Sequence, residues 1–82
     1  MKISYSVYSL IGRLYSKRGI VVADYLETRD FLKALRNCED FLRQHNDEMC
    51  EIIMTRTDYD LKGRAFNIAK FRTSVNMEGL EQ

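Results

Sequence analysis

Between residues 28 and 45, Phe31, Leu35, Cys38 and Leu42 recur three or four positions apart, flanked by Leu32, Ala34 and Phe41. This spacing lines one side of a helix and predicts an amphipathic α-helix there. Upstream, Ile3, Tyr5 and Val7 alternate with Lys2, Ser4 and Ser6, the two-residue period of a strand. Val7, Ile11, Leu14 and Tyr15 also fit helical spacing, so a helix over 6–17 is the alternative. β-Branched and tyrosine content decides for the strand. Residues 15–19, Tyr-Ser-Lys-Arg-Gly, then form a hairpin loop in which Gly19 takes the left-handed position, and Gly12 marks a bulge or break.

The second strand covers 20–26. Thr28 stands where the helix needs an N-cap acceptor, and Asp30 falls in the first turn, where negative charge suits the exposed amides. Polar residues after Gln44 end the helix near 45 or 46 without a glycine. The third strand is 50–57, the turn is 58–63, and the fourth strand is 64–71, with Phe66 and Ile68 alternating against Ala65, Asn67 and Ala69. The expected fold is α+β, ββαββ, with one amphipathic helix packed on a mostly antiparallel four-stranded sheet. Residues 1–72 make a single domain and 73–82 a polar, flexible tail. One helix covers one face of such a sheet. If Tyr8, Leu10, Leu14, Ile53 or Phe71 lie on the other face, that face is a docking surface or a homodimer seam. The chain has no proline, so nothing blocks an edge strand from pairing with a partner.

Composition bounds this picture. With 82 residues, the chain buries about 60–65% of its unfolded surface, which leaves a thin stability margin. A hydrophobic content of 45% with five tyrosines and four phenylalanines argues against disorder. No apolar run is long enough to span a membrane, and the N-terminal residues do not read as a signal peptide, so the expectation is a soluble, cytoplasmic protein. Two cysteines are too few for a disulfide framework and fit a reducing compartment. The net charge of +1 is unevenly spread: residues 1–19 carry four cations and no acid, 24–51 carry eight acids and four cations, and 56–72 carry five cations and two acids. The strands are therefore basic and the helix region acidic, a dipolar surface able to orient a charged partner.

No residue constellation points to catalysis, and no cofactor is expected. Cys38, His45 and Cys50 lack both the spacing and the fourth ligand of a closed metal site, so no metal is expected either. Position places Cys38 in the core and His45 at the helix C-terminus, where its charge suits the dipole. A Cys50–His45 nucleophilic pair has no third residue to orient the base. The neighbouring carboxylates Glu39 with Asp40 and Asp47 with Glu48 read as a solvated face, and four isolated glycines make no phosphate cradle.

Two binding readings remain. Tyrosine, phenylalanine and arginine favour interface centres, which points to a protein partner met by Tyr15, Lys17 and Arg18 in the first hairpin and by Asp47 and Glu48 after the helix. The alternative is single-stranded nucleic acid on a sheet whose aromatics, among them Tyr5, Tyr8, Tyr15, Phe66 and Phe71, interleave with cations. Arg13, Arg56, Lys62 and Arg64 would then hold the backbone. A net charge of +1 makes that the second choice.

Residues 19–56 contain a strand ending Asp24-Tyr25-Leu26-Glu27-Thr28, then Asp30-Phe31-Leu32-Lys33-Ala34-Leu35, then Cys50-Glu51-Ile52-Ile53-Met54. In layout and size this stretch, about half the chain, resembles small strand-strand-helix-strand proteins encoded by bacteriophages, including anti-CRISPR proteins. The resemblance implies a stoichiometric inhibitor in the host cytoplasm, one that occupies a functional surface of a nucleoprotein defence complex such as a CRISPR-Cas effector. Glu39, Asp40, Asp47, Glu48 and Glu51 would engage a basic groove locally. The chain is not strongly acidic, as charge mimics of nucleic acid tend to be, and no functional residue carries over.

Overall fold

The computed structural model describes residues 2–75. Strands β1 (Tyr5–Ser16) and β2 (Gly19–Thr28) form a hairpin, helix α1 (Phe31–Gln44) follows, and β3 (Cys50–Tyr59) and β4 (Ala65–Val75) form a second hairpin. The sheet order is β2-β1-β3-β4 and every neighbouring pair is antiparallel. This is the expected ββαββ α+β arrangement, and residues 6–16 are strand, not helix.

The strands run longer than their hydrophobic patterns suggest. Asp58 and Tyr59, expected in a turn, are laddered to Ser6 and Tyr5 on one side and to Asn67 and Ala65 on the other. The turn itself is 60–64, closed by Asp60, whose Oδ1 accepts the N–H groups of Lys62 and Arg64, both at 2.9 Å. Gly63 stands there at φ +77°, a conformation open to glycine. β4 continues to Val75, so 73–75 of the expected tail belong to the sheet, paired with 50–52. Residues 76–82 lie outside the described residues.

Gly12 marks the bulge, as expected: the β1–β2 register shifts between Gly12 and Arg13, and because Gly12 pairs with Asp24 and Arg13 with Val22 the extra residue is Ala23, across on β2. The glycine also meets a second need, a close approach of the helix. A Cβ added at Gly12 would stand 2.5, 2.7 and 2.8 Å from three ring carbons of Phe41. Only a bare α-carbon leaves room for the ring, and Phe41 is thereby sunk to 4% exposure.

This contact re-centres the helix. Ala34 and Phe41 are its fully buried residues, whereas Phe31, Leu32 and Leu35 are 47%, 63% and 38% exposed. The middle of the buried stripe is thus one position removed from the one that the Phe31-Leu35-Leu42 spacing suggests. α1 lies over β1 and β2, and Asn37 Nδ2 reaches Asp24 Oδ2 on β2 at 3.0 Å. Its N-cap is Asp30, not Thr28: Asp30 Oδ1 accepts from the amides of Leu32 and Lys33 at 3.0 and 3.3 Å, while Thr28 Oγ1 accepts from the Asp30 amide. The final turn closes where the His45 N–H donates to the Phe41 carbonyl.

Leu10, Ala34, Phe41, Cys50 and Ile52 form the core, with Tyr8, Leu14, Leu26, Cys38, Leu42 and Met54 packed against it. Burial of Leu10 beneath the helix fixes the parity of β1, and ladder partners share a face. Tyr8, Leu10 and Leu14 therefore face the helix, as does Phe71, which is paired with Met54. Of the five residues considered for the open face, only Ile53 is there, opposite Ile11.

Gly12→Ala should overpack this contact and destabilise the fold by about 1–3 kcal/mol. For a domain of this size that lowers Tm by about 4–8 °C per kcal/mol. Thermal melts should show partial recovery in Gly12→Ala/Phe41→Leu. A Gly12→Ala variant that melts with the parent would contradict the packing.

Candidate interaction surface

The face of the sheet opposite α1 is covered by no other described element. At one end, Glu51 of β3 is 6% exposed although it points away from the helix. Neighbouring strands close over it. The Tyr15 hydroxyl donates to Glu51 Oε1 at 2.8 Å, Arg13 Nη1 stands 3.8 Å from the same oxygen, and Arg72 Nε lies 3.3 Å from Oε2. One carboxylate thus collects two guanidinium groups from β1 and β4 and leaves local charge on the positive side. At the other end Tyr5 and Tyr59, ladder partners, stack with centroids 4.9 Å apart and an interplanar angle of 10°. The Arg29 guanidinium sits 4.0 Å over the Tyr5 ring, within cation–π range.

On this face Ile53 is buried by its neighbours, while Ile20, Val22 and Tyr25 along β2 and Ile68 on β4 are 58%, 59%, 58% and 66% exposed. Ladder pairing of Ile20 with Tyr15, Val22 with Arg13, Tyr25 with Ile11 and Ile68 with Thr57 puts all four on this face. The face thus exposes an apolar row along β2 and a separate apolar residue on β4, with the arginines of the Glu51 cluster among them. Soluble single domains seldom expose such a patch without using it.

The helix side carries a second buried carboxylate. Asp58 is 1% exposed and accepts from Ser6 Oγ at 2.6 Å, Asn67 Nδ2 at 2.9 Å and Arg56 Nε at 2.8 Å. The bonds from Ser6, Asn67 and Arg56 favour its charged form and hold its pKa at about 2, below the ordinary 3.8. In turn Asp58 raises the pKa of Arg56. Among the described residues no buried side-chain polar atom lacks a partner.

The structure brings some of the candidate residues together and separates others. Tyr15 lies on the open face, and Lys17 and Arg18 form the adjoining two-residue turn, with Ser16 paired to Gly19 at φ +129°. The Tyr15 N–H donates to the Met49 carbonyl at 2.9 Å, which brings the loop carrying Asp47 and Glu48 to the same end of the sheet. Glu48 Oε1 is 2.8 Å from His45 Nδ1. The four cations of the nucleic-acid alternative share no face. Arg13 is on the open face, Arg56 is on the helix side bound to Asp58, and Lys62 and Arg64 belong to the β3–β4 turn, where Arg64 Nε meets Asp60 Oδ2 at 3.3 Å. Phe66 is the extra residue in the β4 bulge between Ala65 and Asn67. Of the anticipated acidic patch, Glu51 is withdrawn into its arginine pair. The sequence pattern does not single out Arg72, Tyr5 and Tyr59 as partners, because only the register across β1, β3 and β4 brings them together.

The thiols are held protonated. Burial raises the pKa of Cys38, aided by Glu39, and likewise that of Cys50, aided by Glu48. Cys50 Sγ donates to the His45 carbonyl at 3.7 Å, not to its ring. Among the described residues no three of His, Cys, Asp and Glu gather as a metal site, and no helix is long and apolar enough to cross a membrane.

No protein-family model matches the chain, and comparison with curated proteins and with solved structures returns no match.

Asp58 carries a pH signature. Its folded pKa is depressed, so its contribution is complete above the unfolded carboxylate range and is lost as pH falls from about 4 to about 2. Urea melts should show stability rising with pH across that window. Asp58→Asn should be less stable at neutral pH and flatter between those limits; an unchanged slope in the variant would assign the acid sensitivity elsewhere.

Proposed function

We propose that this protein is a non-catalytic binding module whose partner is another protein, met by the open face of the sheet. The observation that carries this reading is the exposure of Ile20, Val22, Tyr25 and Ile68 on a face where Arg13 and Arg72 are held by Glu51 and Arg29 by the Tyr5 ring. Exposed apolar and tyrosine side chains interspersed with arginine are the composition of a protein interface. Rigidity adds to the fit, because the arginines and tyrosines are already held by Glu51 and by stacking and lose little side-chain freedom on docking. The nucleic-acid reading is weakened by the dispersal of Arg13, Arg56, Lys62 and Arg64 and by the engagement of three of them with carboxylates.

The sharper form of the proposal is an inhibitor that blocks a functional surface of a host defence complex, such as a CRISPR-Cas effector, in the cytoplasm. With Glu51 withdrawn and Asp40 beside Arg43, the helix side presents mixed charge. An inhibitor of this shape acts by covering a protein surface and not by imitating nucleic acid.

Affinity capture from the native host, after nuclease treatment, should retain a protein with the parent chain and lose it with Tyr25→Ser/Ile68→Ser at unchanged Tm. Tyr15→Ala/Arg18→Glu should weaken the same capture, since both residues sit at the edge of that face. If retention requires nucleic acid and collapses steeply with salt, or if both double variants capture normally, the reading fails.

A further inference from the structure

The two edges of the sheet are not equivalent. β2 carries a bulge at Ala23 in mid-strand, and α1 packs against it, two devices that discourage a further strand. β4 has its bulge near its start, at Phe66, and from 67 to 75 every residue pairs regularly with β3. Nine residues in regular register, without proline, leave an edge that no other described element covers.

The two sides of that edge differ in chemistry. On the helix side the offset of α1 leaves a mainly apolar groove of about 140 Å³ between helix and sheet, lined by Cys38, Ile52, Met54, Phe71, Arg72 and Thr73. Phe71 is 58% exposed at its margin. On the opposite side Lys70 and Arg72 follow one another at two-residue spacing, paired with Thr55 and Ile53. Arg72 uses its Nε for Glu51, and its side chain remains 60% exposed. A strand laid along β4 would set alternate side chains over the groove and beside the two cations.

Resting on the protein-binding reading above, we infer that the free edge of β4 takes an extended segment of the partner protein in which apolar and acidic residues alternate. The apolar side chains lean over Phe71 into the groove, and the acidic ones lie across from Lys70 and Arg72. Main-chain hydrogen bonds supply affinity and the alternation supplies selectivity, as in other strand additions to a sheet edge. A second copy of this chain fits less well: antiparallel β4–β4 pairing centred on Phe71 would set Lys70 opposite Arg72.

The test titrates the full-length, ¹⁵N-labelled chain with two blocked heptapeptides, one alternating glutamate with valine and one alternating lysine with valine. The glutamate peptide should shift amides of 67–75 and of Cys38 while leaving β2 unmoved. It should bind about tenfold more tightly than the lysine peptide, the scale of two cross-strand charge pairs changing sign. Lys70→Glu leaves one favourable and one unfavourable pair and should all but abolish that preference. Thr73→Lys, at the groove mouth, should weaken both peptides. Equal affinities, shifts confined to β2, or a stable dimer with 67–75 protected before any peptide is added would each overturn the inference. If the open-face variants lose the native partner while the peptide leaves β4 untouched, the edge proposal falls and the protein-binding reading stands. If the peptide docks on β4 but host capture returns only nucleic acid, the reading of the partner falls instead.

Discussion

The Phe41 ring rests on the backbone of Gly12, and the position of the helix follows from that contact. Because the α-carbon of Gly12 is bare, the ring enters β1 more closely than any side chain there would permit. Phe41 and Ala34 then become the floor of the helix, and Asn37 falls within reach of Asp24. Helix α1 is thereby committed to the β1–β2 half of the sheet. The β3–β4 half keeps a groove on the helix side and a free edge. Burying a phenylalanine contributes about 1.5–3 kcal/mol, a large share of the margin available to a chain of 82 residues.

A second constraint runs through β3. This central strand carries two buried carboxylates on opposite faces and near opposite ends, and each joins β1 to β4. Asp58 binds Ser6 and Asn67 on the helix side, and Glu51 binds Tyr15, Arg13 and Arg72 on the open side. A one-residue slip of either neighbouring strand would turn these partners to the wrong face and leave a buried charge without them. The two carboxylates therefore specify register. The same Glu51 contacts fix the arginines that border the open face, so one set of bonds orders both the sheet and its candidate interface.

The kinds of element and their order could be read from the sequence because helical spacing in 31–42 and alternation in the strands are local signals. The mistaken details have tertiary causes. Asp58 reads as a turn residue because aspartate favours turns, and only Ser6, 52 positions away, and Asn67 make it a strand residue. Gly12 reads only as the bulge position it is, because nothing local reveals the ring above it. Thr28 and Asp30 are both good caps two residues apart, and the observed helix start chooses the aspartate while giving the threonine to the Asp30 amide. Tyr15, Arg18 and Asp47 could be grouped at one end of the fold only once Tyr15 was seen bonded to Met49. The Arg13–Glu51–Arg72 cluster joins three strands and has no signature in any one of them.

Among the described residues the helix lies over the β1–β2 side of the sheet and nothing covers the opposite face, and the proposed function depends on that asymmetry. Aromatic NOE spectroscopy on the parent chain tests the asymmetry most directly. Strong cross-peaks between the Phe41 ring protons and the Gly12 α-protons would place the helix over β1 and β2. Cross-peaks from that ring to the Phe71 ring, with none to Gly12, would put the helix over β3 and β4 and fill the groove beside Phe71.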